Sequence, residues 1–188
     1  LTLLFENGAE VVGHDFRKFS EELYKVEYLK VYQPLFMVTL YGIETDDEEE
    51  LVKMCTLLVE RGANVNAPDP LNGETALHKA SFSNLPLVCE FLIEKGAIVD
   101  GLSEKRKETP LYSAILNNKS NKLDEDDRII PILVKAGANM HAPSQVFKVG
   151  VVDDAEYQTP FELAVEEGLA HVVKVFLDSD LNYKIPDK

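Results

Sequence analysis

Residues 75–100 read TALHKASFSNLPLVCEFLIEKGAIVD, and their punctuation decides the fold. Thr75 is placed to cap a helix, because its hydroxyl can satisfy an orphan backbone N–H of the first turn. Gly96 sits where a left-handed C-terminal cap is needed, with Lys95 in the last turn against the negative end of the helix dipole. Start and stop lie about twenty residues apart, too far for one short helix, and Asn84 between them marks a break. The stretch reads as two antiparallel helices followed by an extended tail.

Working outward, the same stop recurs. LLVERGANVN from Leu57 and ILVKAGANMH from Ile132 each repeat an apolar run, a polar pair, Gly-Ala and an alternating tail. LTLLFENGAEV, from Leu1, is the same ending without its beginning. The start recurs as well, as QPLFMV from Gln33, TPLYSA from Thr109 and TPFELA from Thr159, with proline where a first turn needs no N–H donor. Gly168 breaks the last unit as Asn84 breaks the central one. Self-similarity at a fixed period is the signature of a solenoid, in which each unit buries its apolar face only against its neighbours.

The combined pattern resembles the ankyrin repeat, with its T-P-L-H-x-A start and a period of about 33 residues. Leu77, His78, Ala80, Val88, Leu92, Gly96 and Ala97 carry the best match. The resemblance implies an all-α solenoid of antiparallel helix pairs with protruding hairpin loops, forming a single domain over residues 1–188. Residues 1–15 would end a truncated repeat of a longer chain, and 33–66, 75–100, 109–141 and 159–182 would be the repeats. Gln33 and Phe36 depart from the Thr and His of the first start, and Asp180-Leu181 from the Gly-Ala of the last stop.

Roughly forty residues exceed four units of consensus length. Two segments, 16–32 and 142–158, enlarge the hairpin fingers, the second containing VFKVGVVDD with a turn expected near Gly150. Two more, after Gln33 and after Thr109, lengthen the turns joining paired helices. The acidic run from Glu44 to Glu50 falls in the first of these turns, on the rim away from the fingers.

Loops on a rigid scaffold carry function more often than the scaffold does. In the ankyrin family, partners usually lie along the concave groove, touching finger tips and the exposed ends of first helices. Carried over by position, this implies contacts at Leu40, Tyr41, Phe82, Ser83, Leu116, Asn117, Glu166 and Glu167. A row of Tyr41, Phe82 and Leu116 would form an apolar stripe for a partner helix or extended peptide, unless inserted loops bury it. At the finger tips, Leu71, Asn72, Glu74, Lys105 and Arg106 are further candidates. Asn66, in the Ala-Asn-Val-Asn tail, resembles the asparagine that cellular asparaginyl hydroxylases modify in some ankyrin repeats.

The functions excluded are as informative. With 33 acidic against 19 basic residues, the formal charge of −14 argues against nucleic acid and anionic lipid, whose binding needs clustered Lys and Arg. No apolar run approaches the roughly 18 residues of a membrane span. Cys55 and Cys89 are too few for a disulfide framework and occupy the same repeat position, which reads as core filling in an intracellular, cytoplasmic or nuclear protein. His78 reads as a structural residue tying loop backbone to Thr75, not as a catalyst. No metal spacing, phosphate loop or catalytic motif is present, so no enzyme activity and no cofactor is expected. The expected function is an adaptor or scaffold module, a monomer within a larger complex, binding a protein or peptide. The alternatives are an inhibitor resembling the IκB group that masks a basic surface of a transcription factor, or the intracellular repeat domain of a channel or multidomain enzyme.

Overall fold

The computed structural model describes residue 39 and residues 47–60, 62–121, 128–146 and 156–183. The leading half-repeat, the finger at 16–32, the turn expected near Gly150, and the candidate contacts Leu40 and Tyr41 lie outside the described residues.

Helix α1 (Glu48–Glu60) is followed by the pair α2 (Ala76–Phe82) and α3 (Pro86–Glu94), then α4 (Pro110–Asn121) and α5 (Ile129–Lys135). A hairpin of β1 (Ser144–Val146) and β2 (Glu156–Gln158) leads to α6 (Pro160–Glu166) and α7 (Ala170–Tyr183). The two strands pair antiparallel, with Gln145 opposite Tyr157. The glycine stops do what their spacing requires: Gly62, Gly96 and Gly137 take φ of 89°, 89° and 91°. Behind each, an amide reaches back to close the helix, Ala63 to Leu58 at 3.0 Å, Ala97 to Leu92 at 2.9 Å and Ala138 to Leu133 at 3.0 Å. Asn84 at φ 55° and Gly168 at φ 69° make the break between paired helices.

The helices form two layers. First helices α2, α4 and α6 stack on one another, and second helices α1, α3, α5 and α7 do the same behind them. The core runs unbroken between the layers through Leu77, Leu92, Leu111, Ile115, Leu133 and Phe176, all fully buried. Each such side chain contributes about 1.5–3 kcal/mol of burial, offset by the entropy of ordering the chain. Cys55 and Cys89 are free and buried, and desolvation pushes both thiols up to about 12, which leaves them unreactive.

Two features differ from the sequence reading. The end of the acidic run, placed by the sequence in an inserted turn, instead caps and opens a helix. Asp47 caps α1, its Oδ1 accepting from the Glu50 amide at 3.1 Å, and Glu48 Oε1 accepts from the Val88 amide at 2.9 Å. A carboxylate from one repeat thereby satisfies an orphan donor at the N-terminus of α3 in the next. Second, α4 does not stop near Leu116 but continues to Asn121, using residues expected to form a turn.

Candidate functional site

Fingers and first helices are fastened together by polar bonds that cross from repeat to repeat. Asp69 Oδ2 accepts from the amides of Leu71 and Asn72 at 3.1 and 2.9 Å, shaping the first finger tip. Ser103, at the equivalent place in the second finger, accepts through Oγ from the Glu108 amide at 3.1 Å. The tips then join: the Lys105 amide donates to the Asn72 carbonyl at 3.2 Å, and the Gln145 amide to the Arg106 carbonyl at 3.2 Å.

His78 anchors this assembly. Its Nδ1 accepts from the Thr75 amide at 3.1 Å and lies 2.8 Å from the Thr75 hydroxyl, so the ring proton sits on Nε2 and is donated to the Glu108 carbonyl at 3.0 Å. Burial lowers its pKa below the ordinary histidine value, partly countered by the Glu108 and Gly101 carbonyls. A buried, neutral ring with both nitrogens engaged is a strut between two fingers, as the sequence suggested. In the later units the same position holds Tyr112, whose hydroxyl donates to Gln158 Oε1 at 2.9 Å, and Glu162, which completes a capping box with Thr159.

A second ladder runs through the tails after each glycine. Asn66 donates through Nδ2 to the Gly96 carbonyl at 2.9 Å and accepts at Oδ1 from the Ile98 amide at 2.8 Å. Asp100 repeats this, Oδ1 accepting from the Asn139 amide at 2.9 Å. The asparagine singled out as a modification candidate is thus half-buried and committed at both ends of its amide.

The described candidate contacts divide into two groups. Leu71 is 50 % exposed and Phe82 40 %, with Lys79 Nζ 5.2 Å from the Phe82 ring centroid. Asn72, Lys105, Arg106 and Glu166 are exposed, while Glu74 and Glu167 are half-buried. Among the described residues, Arg106 makes a 3.7 Å ion pair with Glu108. Burial raises the carboxyls of Glu74 and Glu108 above the usual range, partly offset by Lys79 and Arg106 at Glu74 and by Arg106 at Glu108. Leu71, Asn72, Glu74, Lys105 and Arg106 lie on the first two fingers, Phe82 at the end of α2, and Glu166 and Glu167 at the end of α6.

The remaining candidates turn inward. Asn117 is 8 % exposed, because α4 continues past it and the residue lies within a helical turn instead of at an open helix end. Leu116 is half-buried against the core, and Ser83 is half-buried with its Oγ enclosed. Of the expected apolar stripe, Phe82 is exposed, Leu116 is half-buried and Tyr41 lies outside the described residues. Tyr157, at 62 % exposure, stands on the third finger instead. Its signal in the sequence was the strand alternation ahead of Thr159, which presents one side of the hairpin to solvent. No group of three or more His, Cys, Asp or Glu side chains that could hold a metal ion occurs among the described residues. No described helix is long and apolar enough to cross a membrane.

A two-layer stack of helix pairs with fastened fingers is a protein-interaction solenoid, and the chain belongs to the ankyrin-repeat family. A profile of ankyrin repeats in three copies matches residues 47–144. Over 113 residues the chain is 48 % identical to "Stress-activated protein kinase alpha" of Dictyostelium discoideum, a match covering 60 % of this chain and 15 % of that protein. The chain therefore spans only a small part of that relative's length.

Proposed function

We propose that this domain is a non-catalytic adaptor or scaffold module, intracellular, that holds a segment of a partner protein along the groove and finger tips. The observation that carries the reading is Phe82. A large aromatic ring remains 40 % exposed at the end of α2, beside finger tips whose backbones are bonded to one another. Exposed rings in a preorganised setting make good anchors, since little entropy is lost when a partner covers them. Leu71 and Tyr157 extend the apolar contact, and Lys105, Arg106 and Glu166 form its polar edge.

The similarity to part of a protein named a kinase favours one second reading: a recognition domain attached to a catalytic one in a multidomain enzyme. Both readings use the same surface. Capture from cell extract by the wild-type domain, with Phe82→Ala plus Leu71→Ala alongside and captured proteins identified by mass spectrometry, tests that surface. At least one wild-type partner should be lost, and an identical set of captured proteins would refute the assignment.

A further inference from the structure

By count of its charged residues the second finger is neutral, Asp100, Glu104 and Glu108 balancing Lys105, Arg106 and Lys107. The fold sorts them. Asp100 turns to the tail ladder, where its carboxylate accepts from the Asn139 amide at 2.9 Å. Glu108 is buried, and Glu104 lies over Gly73 of the first finger, filling the space that a side chain there would need. Lys105, Arg106 and Lys107 are left at the exposed tip. Arg106 pairs with Glu108 at 3.7 Å, whereas Lys105 and Lys107 are in no ion pair among the described residues. A neutral stretch of sequence thus presents a basic edge on a chain whose formal charge is −14.

The tip is also held in place. The Lys105 amide bonds to the first finger at Asn72, and the Arg106 carbonyl to the third at Gln145. Lys107 has φ of 53°, and Gly73, its equivalent in the first finger, 70°. That left-handed conformation suits glycine and not lysine, so the second finger keeps a cation where the same turn of the first has none. The first tip differs in chemistry, with Leu71 exposed and no charge among Pro70, Leu71, Asn72 and Gly73. Inward from the tips, Lys79 and Arg106 both lower the raised pKa of Glu74 and so stand near it, and Lys79 Nζ is 5.2 Å from the Phe82 ring centroid. Cations therefore run from the basic tip to the exposed ring on α2.

We propose that the segment held by this domain is acidic: an extended stretch of a partner protein whose Asp or Glu side chains meet Lys105 and Lys107, with an apolar residue seated on Leu71. The inference rests on the reading that a partner segment lies across the fingers, and names its chemistry. Successive units stand about 10 Å apart, as packed helices do, and extended chain advances about 3.3 Å per residue, so the apolar and acidic residues are about three positions apart. A basic segment would meet unpaired cations of its own sign. A nucleic acid or a bilayer is anionic over its whole extent and would meet the acidic remainder of the chain. A short segment feels only the charges within a Debye length of about 8–10 Å.

Selection of random peptides of about ten residues, long enough to cross the fingers, on the whole chain tests this. The wild type should enrich Asp and Glu, with an apolar residue about three positions away. Lys105→Glu plus Lys107→Glu should lose those sequences and enrich Lys and Arg instead. A synthetic peptide of the most enriched sequence should bind the reversed chain at least about tenfold more weakly in fluorescence polarisation, and its lysine-for-acid counterpart should prefer that chain. Both lysines are exposed, so the variant should keep the wild-type circular dichroism and melting temperature, which separates lost recognition from lost folding. Neutral or basic sequences on the wild type would overturn the proposal. Sequences lost on Phe82→Ala plus Leu71→Ala but indifferent to the reversal would overturn it and leave the groove surface standing. Acidic sequences that need the two lysines but neither Phe82 nor Leu71 would uphold the acidic partner and overturn the surface assigned to those two residues. Enrichment of nothing would overturn both. Retention of the wild type by duplex DNA or by phosphatidylserine vesicles at about 0.15 M salt, lost on the reversal, would overturn the proposal in favour of a polyanion.

Discussion

Replacing His78 by alanine should cost far more than the loss of one side chain suggests. The ring is 1 % exposed and binds the Thr75 amide, the Thr75 hydroxyl and the Glu108 carbonyl. Truncation leaves the Thr75 amide without its partner and removes one of two donors from the buried Glu108 carbonyl, which keeps the Ser103 amide at 3.0 Å, at a cost of about 1–3 kcal/mol. The vacated volume adds about 1 kcal/mol if the site collapses only partly. The expected destabilisation is therefore about 2–4 kcal/mol in urea unfolding, with a smaller loss for His78→Gln, which keeps one acceptor and one donor. Because the Glu108 bond joins two repeats, the alanine variant should also unfold less cooperatively, seen as a lower m-value. The pH dependence has a definite sign. Burial lowers the folded-state pKa of His78, so between the ordinary value of about 6.5 and that lower value the unfolded chain binds a proton the folded chain does not. The stabilisation from this site is complete above about pH 6.5 and is lost as pH falls. Glu48, Glu74 and Glu108 have raised pKa values and act in the opposite sense as pH falls towards 4.5, so the whole-protein curve mixes both effects. The difference between wild type and His78→Gln isolates the histidine, and it should shrink between about pH 7.5 and about pH 5.5. A destabilisation by His78→Ala below about 1 kcal/mol, or a wild-type-to-Gln difference that grows as pH falls, would refute the strut.

Three further substitutions probe the fingers and the layers. Gly73 and Lys107 occupy the same turn position, with φ of 70° and 53°, so Lys107→Gly should stabilise the domain by about 0.5–1 kcal/mol by relieving a left-handed lysine. Gly73→Ala should do the reverse by about 2–4 kcal/mol, since its Cβ would lie 2.6 Å from the Glu104 backbone nitrogen; equal melting temperatures for these variants would contradict both. Glu48→Ala should destabilise by about 1 kcal/mol and speed hydrogen exchange at the Val88 amide, whereas unchanged exchange there would show that the cross-repeat cap contributes nothing.

The backbone plan was legible because it is written in residues whose conformational demands are local. Gly62, Gly96 and Gly137 announce left-handed caps, and Thr75, Thr109 and Thr159 announce helix starts, whatever surrounds them. His78 was legible for the same reason, since its tie to Thr75 is three residues away. What could not be read was exposure. Phe82 and Leu116 look equally apolar in the sequence, yet Phe82 is exposed and Leu116 is half-buried. The distinction depends on α4 running on to Asn121, which no stop signal after Leu116 prevents. Glu48 was read as part of an acidic run because its partner, the Val88 amide, lies 40 residues away and backbone donors leave no trace in composition.

The placement of the polar bonds connects stability to recognition. Glu48 to Val88, Asn66 to Gly96 and Ile98, His78 to Glu108, and Asp100 to Asn139 all cross between successive units. Stability in such a stack is close to a sum of repeat and nearest-neighbour terms, so these bonds hold the coupling between units and not only the units themselves. A partner seated across Leu71, Phe82 and the Lys105 finger spans the boundary between the first and second fingers that His78 and Asn66 bridge from within. Its binding would add to a coupling already present, with little reordering of backbone required. Weakening that coupling should therefore impair recognition even where no contact residue is changed, which gives the strut at His78 a functional consequence without making it part of the binding surface.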